Sequence, residues 1–99
     1  MNITETSIVL TDEGGASEAR TVTASSAQSA KSYPTGKAVV YATVDCYVRA
    51  GGNPTALATG VDQFIPAGRL LRLEFAPGSK LAFIRAGSTD GTAYITPAA

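Results

Sequence analysis

The sequence predicts an all-β fold: a compact β-sandwich or jelly-roll-like barrel of about seven short strands with an N-terminal arm. No window of about 11 residues keeps the apolar spacing of an amphipathic helix. Gly and Pro together make up 15 of the 99 residues and are spread along the chain. Thr, Val, Ile, Tyr and Phe are grouped in short runs between these turn residues, at a spacing of roughly 8–12 residues that is typical of sandwiches and barrels.

The first half of the domain contains two strand regions separated by a polar loop. Residues 19–24 (ARTVTA) alternate, with Val22 on one face. Residues 25–36 are small and polar and predict a loop. Residues 38–49 (AVVYATVDCYVR) form the longest strand candidate, apolar on both faces at first and alternating afterwards. A strand of this length is expected to bend near Ala42–Thr43, where it either serves two sheets or carries a bulge.

The second half predicts a meander of short strands joined by turns. In RLLRLEF the residues Leu71, Leu73 and Phe75 share one face. Pro77-Gly78 suits a type II turn, and Asp90-Gly91 favours a type I′ turn. The strand candidates of this half are FIPAG (64–68), RLLRLEF (69–75), KLAFIR (80–85) and TAYIT (92–96).

Charge divides the chain into an acidic N-terminal arm, residues 1–19, and one β-sandwich domain, residues 20–99. The arm holds four acidic residues and no basic one, whereas the domain holds four acidic and all eight basic residues. The arm also contains the apolar run Ile8, Val9 and Leu10. We expect this run to add as a strand to a sheet, in its own subunit or in a neighbouring one, while the acids of the arm face the basic domain.

The residue types that common active sites require are missing from the sequence. The chain contains no His, which excludes Ser-His and Cys-His nucleophile pairs and the commonest zinc ligand. It has no glycine motif for phosphate and no cysteine cluster. We therefore expect no catalytic, cofactor or metal site. The net charge of zero argues against nucleic acid as a partner, and no apolar run is long enough to cross a membrane.

The only cysteine belongs to the strand candidate that precedes two glycines. Val44, Cys46 and Val48 share one face of this strand, so Cys46 is expected to be a buried and inert thiol. A single cysteine forms no internal disulfide, which fits folding in a reducing cytoplasm.

The opposite face of that strand carries Asp45, Tyr47 and Arg49. Residues two apart on a strand face are placed to pair with adjacent strands, and Tyr and Arg are frequent at interface hot spots. This row is either a solvated strand face or a contact surface. Together with Ile8–Leu10 it forms the candidate interface of the chain.

Several segments resemble small structural proteins of tailed bacteriophages: DCYVRAGGNPTAL, FIPAG, PGSKLAFI and GTAYIT, within about residues 21–97. The group most similar is the head decoration, or cement, proteins, which are compact β-sandwich or jelly-roll subunits that clamp the capsid. This family has no catalytic residues to carry over. The resemblance implies a non-enzymatic virion protein on the capsid surface, made in the bacterial cytoplasm. It would bind the major capsid protein and itself, as a dimer or trimer.

Two other functions stay open at this point. The chain is alternatively a carbohydrate-binding or adhesin module of a phage tail or fibre, with Tyr41, Tyr47 or Tyr94 as a stacking platform for sugars. A small hydrolase would need a carboxylate pair assembled in space, as in glycosidases. Its candidate acids are Asp45, Asp62, Glu74 and Asp90.

Overall fold

The computed structural model describes residues 17–58, 60 and 62–98, and their secondary structure is all β. Ser7–Leu10 and most of the predicted arm lie outside these described residues. The eight strands are β1 (Glu18–Val22), β2 (Ala27–Gln28), β3 (Lys37–Ala42), β4 (Cys46–Gly51), β5 (Gln63–Ile65), β6 (Leu70–Glu74), β7 (Lys80–Arg85) and β8 (Gly91–Pro97).

The strands form two antiparallel sheets of four strands each. Sheet 1 has the order β1-β8-β3-β6, and sheet 2 has the order β2-β7-β4-β5. The first strand pairs with the eighth, the second with the seventh, the third with the sixth and the fourth with the fifth. This order arises when one long hairpin folds over so that its strand pairs fall alternately into two sheets. It is the jelly-roll arrangement of a β-sandwich. The predicted fold class is confirmed, with eight strands instead of about seven.

The long strand candidate divides into β3 and β4, and these lie in different sheets. The predicted bend near Ala42–Thr43 is therefore confirmed, and of the two alternatives the structure has the one in which the segment serves both sheets. Backbone and side chain fix the corner together. The Thr43 N–H donates to the Thr92 carbonyl at 2.9 Å, and the Thr92 N–H donates to Oγ1 of Thr43, also at 2.9 Å.

The predicted meander in the second half is wrong. β5 and β6 lie in different sheets, and so do β7 and β8. Gly and Pro mark where a strand ends, but they do not decide whether the chain returns to the same sheet. The polar segment 25–36 also contains more structure than predicted, because it holds β2 and a bridge between Tyr33 and Ser79.

The two predicted turns have different outcomes. Gly78 has a φ of +84°, and the Ser79 N–H donates to the Ala76 carbonyl at 3.1 Å, which confirms the type II turn at Pro77-Gly78. Gly91 is not among the glycines with positive φ, so the predicted type I′ turn at Asp90-Gly91 is wrong. Gly91 instead opens β8, where an added Cβ would lie 2.7 Å from the Val44 side chain.

The core lies between the inner faces of the two sheets. The predicted inward row is confirmed: Cys46 is fully buried, Val48 is 6% exposed, and Val44 packs against the core. The other buried residues of the core come from both sheets and from one loop: Val22, Tyr33, Ala38, Val40, Ala42, Ile65, Leu81, Phe83, Ala93 and Ile95.

β1 begins inside the segment that the sequence assigns to the arm. Glu18 and Ala19 pair with Ile95 and Tyr94 of β8, so both residues belong to the sandwich. The boundary at residue 19 falls within this strand. The strand-addition prediction for Ile8, Val9 and Leu10 stays a prediction, since these residues lie outside the described part of the chain.

Candidate functional site

Tyr47 and Arg49 of the predicted row lie on the outer face of sheet 2, and Asp45 directly precedes β4 at the end of that sheet. Arg49 forms a salt bridge with Asp62, with 2.7 Å between Nε and Oδ1. The second oxygen of Asp62 accepts the N–H of Leu57 at 2.7 Å. Burial acts to raise the pKa of Asp62, but the Leu57 N–H and the Arg49 guanidinium outweigh it and lower that pKa. Arg49 is thus held by a specific partner on this face.

Tyr47 lies in the middle of a short apolar row on the same face. It is paired with Phe64 of β5 and with Ile84 of β7. The rings of Tyr47 and Phe64 meet edge to face, with centroids 5.6 Å apart and 64° between planes. Phe64 is 41% exposed. This pair, which we call the Tyr47–Phe64 pair, leaves an aromatic surface open to solvent.

Asp45 serves a different purpose from the other two residues of its row. Its Oδ1 accepts the backbone N–H of Ala67 at 2.7 Å, which fixes the loop after β5. Asp45 also lines an open cleft of about 330 Å³ at this end of the sandwich, together with Ser88 and Thr89. The predicted row is therefore a loop anchor, an aromatic contact and an ion pair side by side.

The outer face of sheet 1 carries a second candidate surface, whose residues the sequence analysis did not bring together. Tyr41 is paired with Leu70 on one side and with Tyr94 on the other. We call Leu70, Tyr41 and Tyr94 the tyrosine row. Their exposed fractions are 44%, 38% and 50%, so three of the five exposed large apolar residues in the described part of the chain lie side by side. The row crosses three neighbouring strands of one sheet.

Polar residues border the tyrosine row. Val39, on the same face, is paired with Arg72 and Thr96 and is only 3% exposed. Oγ of Ser17 donates to Oγ1 of Thr96 at 3.1 Å. An exposed apolar centre with a polar border is the composition of protein–protein contact surfaces. Alternation alone predicts that Tyr41 and Tyr94 point outward, but only the strand register brings them together.

The four acids considered for a hydrolase have separate surroundings. Asp62 is bound by Arg49, and Asp90 by Arg85. Glu74 is paired with Lys37 across sheet 1, whereas Asp45 holds the loop at the end of sheet 2. Among the described residues no group of three or more acidic or thiol side chains is placed to hold a metal ion.

Cys46 is buried in the core, as the sequence predicted. Burial raises the pKa of its thiol to about 11, and the negative charge of Asp45 adds to the shift. A thiol with this pKa is almost fully protonated at neutral pH and is therefore a poor nucleophile.

Comparison of the chain with protein-family models, with curated proteins and with solved structures finds no match. In the described part of the chain, no helix has the length and apolar character needed to cross a membrane.

Proposed function

We propose that this chain is a non-enzymatic structural protein of a tailed-phage virion, which decorates the capsid surface by binding the major capsid protein and itself. The observation that carries the proposal is the tyrosine row on the outer face of sheet 1. Tyrosine is among the residues enriched at interface hot spots, because its ring gives a large contact area at a low cost in side-chain entropy.

The arrangement of apolar surface on both sheets supports a protein with two partners. The tyrosine row lies on the outer face of sheet 1, and the Tyr47–Phe64 pair lies on the outer face of sheet 2. These faces point in opposite directions because the inner faces of the sheets form the common core. A subunit with this geometry is able to contact the capsid through one face and a second copy through the other.

The fold supports a role that depends on contact surfaces instead of chemistry. Antiparallel pairing in a jelly roll satisfies the backbone of the inner strands and leaves the two outer faces free for binding. The sequence resemblance to decoration proteins, over about residues 21–97, extends from the end of β1 to β8. These observations agree with the proposal, and an experiment on virions is needed to test it.

Mass spectrometry of purified virions of a tailed phage whose genome carries this coding sequence tests the proposal directly. We expect the chain in the particles at a copy number comparable with that of the major capsid protein. Light scattering of the purified chain is expected to give a dimer or trimer. Absence of the chain from virions would refute the virion role.

A second function, carbohydrate binding in a phage tail or fibre, is favoured by the adjacency of Tyr41 and Tyr94. Two neighbouring exposed rings offer a stacking platform for the apolar faces of sugars, while Tyr47 lies on the opposite sheet next to Phe64. A glycan array probed with the purified chain separates the two functions. Binding that disappears in the Tyr41→Ser/Tyr94→Ser variant would favour the carbohydrate function.

A further inference from the structure

We propose that the groove between the edge strands β5 and β6 binds the apolar run Ile8–Leu10 of the same chain. The groove has a volume of about 250 Å³ and lies between the two sheets. Its apolar lining comes from β4, β6 and β7 and from Phe75, which directly follows β6. The lining residues that matter here are Val48, Leu73, Phe75 and Leu81.

The core is open along this edge. Leu71, Leu73 and Phe75 point inward and pack against the core, yet all three stay partly exposed. At the opposite edge, where β1 and β2 lie, the inward-facing Val22 is fully buried. The apolar surface that remains uncovered in the core is therefore concentrated beside β6.

The two strands that border the groove suit an extended segment. β6 is the last strand of sheet 1, and β5 is the last strand of sheet 2. The outer edge of a terminal strand has backbone groups without a partner in its sheet, and these groups accept an added strand. Alternate side chains of such a segment would point into the groove. Because the lining of the groove is apolar, a run of a few apolar residues would bind there best.

The place where β1 begins favours the arm of the same chain as the segment that binds in the groove. Glu18, Ile95, Val40 and Leu71 form one row across sheet 1, and β1 begins at the end of the sheet that carries Leu73. From β1 to β6 is three strand spacings, about 14 Å. Residues 11–16 span up to about 20 Å when extended, so Ile8–Leu10 reach the groove without leaving the subunit.

Charge at this end of the sandwich complements the arm. Lys37 opens β3 and Lys80 opens β7, both at the end where the groove lies, and Glu74 of the groove lining is the cross-strand neighbour of Lys37. The segments that flank the apolar run carry Glu5, Asp12 and Glu13 and no basic residue. Attraction between these acids and Lys80, whose cross-strand neighbour is Gly51, favours the arm on this side of the molecule.

Disulfide trapping in the full chain tests the proposal. Val9→Cys is combined with Gln63→Cys, since Gln63 lies on β5 and lines the groove. The control combines Val9→Cys with Thr21→Cys, an exposed position on β1 at the opposite edge. The native Cys46 is buried and does not compete for the oxidant. Ile8→Cys and Leu10→Cys are each tested with Gln63→Cys as well, because a disulfide forms only between Cα atoms about 4–7 Å apart.

We expect at least one of the three arm positions to form an intramolecular disulfide with residue 63, at a yield at least tenfold above that of the residue 21 control. Equal trapping at both edges, trapping at neither, or a disulfide-linked dimer would each overturn the proposal. This test does not measure the copy number of the chain in virions. Failure of the groove proposal is therefore distinguishable from failure of the proposed function.

A dye that binds exposed apolar surface gives a second measurement. Ile8→Asp/Leu10→Asp is expected to raise the fluorescence of anilinonaphthalene sulfonate severalfold, because the groove is uncovered. Ile3→Asp, in the same arm but outside the run, serves as the matched control and leaves the signal unchanged. An equal signal for the two variants would contradict the proposal.

Discussion

The phenol of Tyr33 donates a hydrogen bond of 2.5 Å to Oε2 of Glu18, at the end of the sandwich where β1 begins. The same carboxylate accepts the backbone N–H groups of Ala30 at 2.8 Å and Lys31 at 3.2 Å. Tyr33 is only 1% exposed, and its ring meets that of Phe75 edge to face with centroids 6.3 Å apart. Glu18 thus joins the start of β1 to the loop that precedes β3.

Removing the carboxylate of Glu18 is expected to destabilise the fold. Glu18→Ala leaves the phenol of the buried Tyr33 without its acceptor, whereas water replaces the carboxylate at the exposed N–H groups of Ala30 and Lys31, so the expected cost is about 1–3 kcal/mol in the free energy of unfolding. Tyr33→Phe keeps the ring and loses one hydrogen bond, which costs about 1 kcal/mol. Urea denaturation of both variants measures the difference. An Ala variant as stable as the Phe variant would show that the carboxylate has no such role.

The Tyr33 phenol also predicts a dependence on alkaline pH. Burial, followed by the hydrogen bond and charge of Glu18, raises the pKa of Tyr33 above its usual range. In the unfolded chain the phenol has a pKa of about 10, and below this pH the contribution of the Tyr33 phenol to stability is fully present. Above this pH the contribution is lost, because the phenol ionises in the unfolded chain and not in the folded one. The stability difference between the native chain and Tyr33→Phe is therefore expected to shrink from pH 9 upward. A difference that stays constant would rule out this ionisation.

The salt bridge between Arg49 and Asp62 predicts a dependence on acidic pH. The pKa of Asp62 is lowered in the folded chain, so its stabilising contribution is present above the unfolded pKa of about 3.9 and is lost as the pH falls through the folded value. Arg49 is 41% exposed, which limits the ion pair to about 0.5–1 kcal/mol.

Asp62→Asn is expected to be less stable than the native chain at pH 7 and to approach it below pH 3. Thermal melts at the two pH values check this. Asp90→Asn serves as the control, because Asp90 lies in the more exposed ion pair with Arg85. A stability gap for Asp62→Asn that persists unchanged at low pH would contradict the assignment.

Cys46 is expected to resist labelling and to tolerate substitution without loss of binding. At pH 8 a maleimide reagent should react with the native chain at least a hundredfold more slowly than with the chain in urea, since the thiol is buried and its pKa is about 11. Cys46→Ser is expected to cost about 1–3 kcal/mol, because the new hydroxyl is placed in an apolar row. Rapid labelling of the native chain would disprove the buried placement.

Gly91 is expected to tolerate no larger residue. An added Cβ would lie 2.6 Å from Oγ1 of Thr43 and 2.7 Å from both methyl carbons of Val44. Gly91→Ala therefore forces a shift of the corner between β3 and β4, at a cost of about 1–3 kcal/mol. Gly87→Ala is the matched control, since nothing lies within 4 Å of its added Cβ. Equal midpoints of the two variants in urea would contradict the steric account.

The sequence predicts the faces of the strands better than their partners. Alternation places Val44, Cys46 and Val48 inside, and the structure confirms it, because one buried face leaves a strand no freedom of orientation. Pairing is not local: Tyr41 meets Tyr94 from more than 50 residues away. The tyrosine row was therefore predicted as single residues and not as a surface.

The alternation of apolar residues that predicts strand faces does not predict which loop residues are buried. Tyr33 lies between Ser32 and Pro34 in a polar segment, and no periodic pattern marks it as part of the core. Its burial depends on Glu18, 15 positions earlier, and on the bridge to Ser79. An isolated tyrosine in a polar segment that contains a proline is the only signal that the sequence offers.

Binding to phage heads tests the proposed function most directly. The test uses purified tailless heads of a tailed phage whose genome carries this coding sequence, stripped of decorating proteins, incubated with the chain and sedimented. We expect saturable binding that Tyr41→Ser/Tyr94→Ser weakens at least tenfold, whereas Leu57→Ser, which removes another exposed apolar side chain, leaves binding unchanged. Heads that bind neither the native chain nor the control variant, or that bind the double variant as tightly as the native chain, would contradict the proposal.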